Sequence, residues 1–155
     1  FISRFKVPLV PEFYSYCPES AVFSSSSSYL IHSIPIMFVL SSDVVRVSTE
    51  LNIKFANPST CNETGFWQVD DNIFSGDLVR LKGSKLSDDS TFTIKKSDEK
   101  MYKFAFGSNA DPDDNSTDII LVKELGHSDP WRLKLRRPLD IGYGEFKVSF
   151  VKYPS

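Results

Sequence analysis

The sequence predicts an all-β protein, and three features predict it. Apolar and polar residues alternate in short stretches, turn residues separate those stretches, and no window of comparable length holds an amphipathic helical repeat. Eight or more short strands at roughly ten-residue spacing fit a barrel, a sandwich or a trefoil, and periodicity alone does not choose among them. Thirteen phenylalanines, six tyrosines, seven glycines and nine prolines among 155 residues suit strands and turns better than long helices.

The alternation is clearest in four places. Leu51, Ile53 and Phe55 alternate with Asn52, Lys54 and Ala56, and Phe92 and Ile94 with Thr91, Thr93 and Lys95. Further on, Trp131, Leu133 and Leu135 alternate with Arg132, Lys134 and Arg136, and Phe146, Val148 and Phe150 with Glu145, Lys147 and Ser149. Each pattern predicts one face in the core and the other in water. Turns are expected at 57–59, 75–77, 82–84, 87–89, 107–118, 128–130 and 142–144, where Gly, Pro, Asn, Asp and Ser cluster. Before residue 38 the pattern is less orderly: Pro8 and Pro11 would interrupt a strand, and five serines fill 24–28.

Length and charge bound the function. The chain is expected to form one domain over 1–155, burying roughly two thirds of its unfolded surface, with an atypical or incomplete N-terminal part. A formal net charge of −2 offers no field for a polyanion, so nucleic acid is not an expected partner. The longest strongly apolar stretch, 34–40, is far below the ~18 residues of a membrane helix, so no membrane partner is expected. The chain begins at Phe1 with no signal segment before the domain, as a processed or incomplete mature form would.

Two cysteines, Cys17 and Cys61, accompany two glycosylation sequons at Asn62 and Asn115. Together they predict a secreted or vacuolar protein with one disulfide; the alternative is two unrelated thiols in a cytosolic chain. A Cys17–Cys61 bridge would close about 45 residues and, on chain entropy, stabilise by up to about 4 kcal/mol.

Catalytic chemistry finds little support. His32 and His127 are the only candidate imidazole bases, and neither has a nucleophile and orienting acid at a telling spacing. Asp111, Asp113 and Asn115 imitate a calcium loop, but Ser116 replaces its turn glycine and Val122 its bidentate glutamate. Asp70–Asp71 and Asp88–Asp89 are adjacent, so on a strand they point to opposite faces. The row Arg132, Lys134, Arg136 and Arg137 reads as the wet side of a half-buried strand, with anion binding as the alternative. No metal, cofactor or enzymatic activity is expected, and a binding protein is the default.

Specific strings then carry a resemblance. "STELNIKFANPSTCNETGFWQVDD", "STFTIKKSDEKMYKFAF", "KELGHSDPWRLKL" and the closing "GEFKVSFVKY" occur in the order found in plant Kunitz-type soybean trypsin inhibitors, which this chain resembles over roughly 43–153. The Cys17-Pro18 pair is similar to the family's Cys-Pro, whose cysteine bonds to the one before the tryptophan, which implies Cys17–Cys61. The resemblance also implies a β-trefoil of about twelve strands, a monomeric seed defence or storage protein, and a loop that enters a protease cleft in a substrate-like conformation. That loop follows "SIPIMF" and falls on Val39, Leu40, Ser41, Ser42, Asp43 and Val44. None of these is basic and Arg46 lies beyond, so weak or no trypsin inhibition is expected. Leu40 or Ser41 would suit chymotrypsin-, elastase- or subtilisin-like enzymes, and a cysteine protease could be met through another surface. A storage or carbohydrate-binding trefoil using Trp67, Trp131 or Tyr143 is the competing expectation.

Overall fold

A computed structural model of the chain describes residues 2–5, 9–14, 17–23, 36–40, 44–56, 64–70, 76–98, 100–109, 111–123, 131–140 and 142–150. Among these residues twelve strands run in the order β1 (Ile2–Phe5), β2 (Leu9–Tyr14), β3 (Cys17–Phe23), β4 (Ile36–Val39), β5 (Glu50–Phe55) and β6 (Gln68–Val69), then β7 (Val79–Arg80), β8 (Phe92–Lys96), β9 (Tyr102–Phe106), β10 (Ile119–Lys123), β11 (Trp131–Leu135) and β12 (Gly144–Glu145). One 3₁₀ turn, Asp88–Ser90, precedes β8.

The strands divide into two sets. β1, β4, β5, β8 and β9 lie side by side, all antiparallel, and Val148 continues the order beyond β9 through a pair of 2.8 Å backbone hydrogen bonds with Tyr102. Between them sit three antiparallel pairs, β2/β3, β6/β7 and β10/β11. These pairs meet one another: β3 joins β7 through Ser20 and Arg80 and joins β11 through Val22 and Arg132, while Leu78 bridges to Lys134. Three strand–hairpin–strand units around one axis make a β-trefoil.

Alternation puts the core where the units converge. In β5, Leu51, Ile53 and Phe55 are buried while Asn52 and Lys54 are half-buried. Trp67 is fully enclosed, with ring centroids 5.8 Å from Phe104, 6.1 Å from Phe55 and 6.2 Å from Phe92, two of them edge-on as aromatic quadrupoles favour.

Two expectations need correction. Pro11 does not interrupt its strand: it lies within β2, which among the described residues pairs with β3 alone, an edge position where proline is tolerated, while Pro8 lies outside the described residues. The polar rows of β8 and β11 do not all face water. Thr93 and Lys95 are fully buried and Arg132 nearly so. Thr93 Oγ1 donates to the Gly107 carbonyl, and Lys95 Nζ donates to the Asp114 carbonyl and to Asp118 Oδ1, so the 107–118 loop lies over β8.

Candidate reactive loop

The loop joining β4 to β5 is anchored by apolar side chains on both sides. Ile36 and Phe38 are fully buried, and Leu40, just past the strand end, also packs into the core at 8% exposure. Residues 41–43 lie outside the described residues. Val44 is exposed, Val45 packs against the core, and Arg46 and Val47 return to solvent. Ser48 turns the chain back at φ 72°, its N–H donating to the Ile94 carbonyl at 3.0 Å. Leu40 and Val45 are therefore two feet with 41–44 between them.

The base is braced from the side. Val39 pairs with Asn52 across the β4/β5 ladder, and Asn52 Nδ2 donates to the Ser90 carbonyl at 2.9 Å. Asp89, beside Ser90, accepts from Ser87, Gln68 and Ser90. Burial raises its pKa, but these hydrogen bonds outweigh it and hold the carboxyl below the usual range. A depression of about 220 Å³ opens beside this base, with Val39, Leu40, Asn52, Lys85 and Thr91 in its wall.

The sequence-predicted site residues separate on this frame. Val39 and Val44 border the gap, whereas the Leu40 side chain is turned into the core and is not offered to an enzyme pocket. Ser41, Ser42 and Asp43 lie outside the described residues, as do Cys61, Asn62, His32 and His127. Cys17 opens β3, its backbone opposite Tyr14. Asn115 is exposed, with Oδ1 accepting from Lys103 Nζ at 2.7 Å.

The basic row is wet only in part, with Arg137 exposed, Lys134 and Arg136 half-buried and each side chain differently engaged. Arg132 is buried, Lys134 bonds Asp140 at 2.6 Å, Arg136 lies 5.2 Å from the Tyr143 ring centre, and Arg137 grips Asp77 with two nitrogens at 2.6 and 2.7 Å. The 111–118 acids are also engaged: Asp111 accepts the Asp113 N–H, and Asp114 accepts the Ser116 N–H and Asn109 Nδ2. No cluster of three His, Cys, Asp or Glu suited to a metal occurs among the described residues. No helix among them is long and apolar enough to cross a membrane. Trp67, offered above as a sugar platform, is a core residue with no exposed face.

Sequence reasoning missed Leu86, which is 97% exposed on a turn whose Lys85 shares the depression with Val39 and Leu40. The available signal was one large apolar residue inside an otherwise polar turn, "GSKLSDDS".

A β-trefoil with an anchored loop between its fourth and fifth strands has the architecture of Kunitz-type inhibitors. The legume Kunitz family model, described as trypsin and protease inhibitor, matches residues 8–150, and the chain belongs to that family. The match begins well before residue 43, taking in the N-terminal region that the quoted strings leave out. Kunitz trypsin inhibitors 6 and 7 of Arabidopsis thaliana are 43% and 40% identical to it over 100 residues. Those residues cover 62% and 61% of this chain and 48% of each relative, so the match spans about half the length of these proteins. Trypsin inhibitor from soybean superposes with a TM-score of 0.69 at 18% identity, covering 98% of this chain and 92% of that one. The soybean inhibitor in complex with porcine pancreatic trypsin gives 0.68 at 17% identity over the same shares. At these identities the structures share the fold.

Proposed function

We propose that the chain is a non-enzymatic inhibitor of serine proteases that presents residues 41–44, between Val39 and the Val45 anchor, to the enzyme cleft. The observation that supports this reading best is the pair of feet on either side of that short segment, Leu40 buried in the core and Val45 half-buried against it. A loop fixed at both ends loses little conformational entropy when it is bound, and this is how a substrate-like segment becomes an inhibitor. Family membership and the trypsin complex of the soybean relative supply the kind of partner.

The side chains argue against trypsin as the preferred target. A trypsin-type pocket carries a buried carboxylate that needs Arg or Lys, whereas this segment offers Ser41, Ser42, Asp43 and Val44. With Leu40 buried, a small side chain meets the primary pocket, which suits elastase- or subtilisin-like enzymes before chymotrypsin. A monomer on the secretory route, bridged at Cys17–Cys61 and glycosylated at Asn62 and Asn115, completes the reading as a plant defence or storage protein.

Stoichiometric titration against trypsin, chymotrypsin, elastase, subtilisin and papain tests it. One or more of the non-tryptic serine proteases is expected to be inhibited, with trypsin weakly affected. Inhibition of papain alone, or of none, would contradict the proposal.

A further inference from the structure

Leu86 and Lys85 stand at the tip of a turn that is fixed on every side. Ser87 N–H donates to the Ser84 carbonyl at 3.3 Å, Leu86 N–H to Ser84 Oγ at 3.2 Å, and Ser84 N–H to the hydroxyl of fully buried Ser90 at 3.0 Å. At the foot of the turn Gly83 N–H donates to the Phe66 carbonyl at 2.9 Å. A Cβ at Gly83 would stand 2.6 Å from the Trp67 carbonyl oxygen, so only glycine lets this strand of chain lie against the core backbone. The apex is not a dangling loop that happens to be exposed.

The turn is also continuous with the candidate reactive loop. Ser90 accepts from Asn52, Asn52 pairs with Val39, and Lys85 walls the same depression as Val39 and Leu40. An enzyme seated on 41–44 would therefore approach this apex. Burying a leucine that is already held in place removes apolar surface from water at little cost in chain entropy.

We propose that the 84–87 turn is a second contact on the same protease, with Leu86 packing on apolar enzyme surface beside the cleft and Lys85 facing a carboxylate on its rim. This rests on the inhibitory reading above. The contact lies outside the primary pocket, because residues 85 and 86 form a hydrogen-bonded turn rather than the extended strand that a protease cleft accepts. Specificity then depends on two separated elements: the side chain in the pocket and the match between this apex and the enzyme rim.

Inhibition constants of the full chain and of Leu86→Asp, Lys85→Glu and Leu139→Asp test the idea on whichever serine protease the unmodified chain inhibits. Leu139 is 92% exposed and outside the depression, so it controls for an acid on any bare leucine. Leu86→Asp is expected to weaken inhibition about ten-fold or more and Lys85→Glu by less, chiefly through the association rate, with Leu139→Asp unchanged. Circular dichroism melts should coincide for all four proteins, since neither turn side chain is buried. Equal potency of the unmodified chain and Leu86→Asp overturns this contact and leaves the inhibitory reading standing. An unmodified chain that inhibits none of the panel overturns both.

Discussion

Lys95, with no exposed side-chain surface, holds its ammonium 3.1 Å from the carboxylate of Asp118, which Lys103 meets from the other side at 2.8 Å. This three-residue cluster, with the Asp114 carbonyl also on Lys95, fastens the 107–118 loop over β8. The loop is held there by charge and hydrogen bonds.

The two charges differ in what their loss leaves behind. Asp118→Ala leaves the buried Lys95 ammonium with the Asp114 carbonyl but without its counter-charge, at a cost of about 3–5 kcal/mol. Lys95→Met leaves Asp118 paired with Lys103 and puts an apolar chain of similar shape in the barrel wall, so about 1–2 kcal/mol or less is expected. Urea unfolding of the two variants checks the order, Asp118→Ala being the more destabilised.

Acid should loosen the same loop. Asp114 is drawn down to about 2, first by the Ser116 backbone N–H, then by the Ser116 hydroxyl and Asn109. A carboxyl with a folded pKa below its unfolded value contributes stability above the unfolded value, near 4, and loses it as pH falls through the folded one. Unfolding midpoints are therefore expected to drop between about pH 4 and pH 2, and less steeply in Asp114→Asn. Parallel curves for the two proteins would remove Asp114 from the explanation.

Leu40→Ala should act on both stability and inhibition. Truncating a buried leucine costs about 2–5 kcal/mol, and here it also frees one foot of the 41–44 segment. Inhibition is expected to weaken at temperatures where circular dichroism still reports a folded protein. Equal inhibition by folded Leu40→Ala would mean that this anchor does not preorganise the loop.

Much of the fold was legible because alternation is a local signal. Leu51, Ile53 and Phe55, like Leu133 and Leu135, face inward as their spacing requires. Alternation says nothing about a third layer, so Thr93, Lys95 and Arg132 read as wet until the segments that cover them are in place. Pro11 looked like a breaker because a strand's edge position is a property of the sheet and not of its own sequence. At the candidate site, the position between "SIPIMF" and "TELNIKF" could be read, but the direction of Leu40 could not. An apolar residue beside a turn can serve as anchor or as contact, and only packing decides. Lys85 and Leu86 reach the same surface from more than 40 residues beyond Val44 along the chain, a neighbourhood that spacing does not reveal.

If the segment between Leu40 and Val45 enters the protease cleft, the side chain that fills the primary pocket belongs to Ser41, Ser42, Asp43 or Val44. Placing arginine there singly, as Ser41→Arg, Ser42→Arg, Asp43→Arg and Val44→Arg, should convert one of the four into a trypsin inhibitor at least about a hundred-fold stronger than the unmodified chain, because a trypsin-type pocket rewards a buried arginine–carboxylate pair. If all four variants fold and none inhibits trypsin better than the unmodified chain, the loop does not enter the cleft.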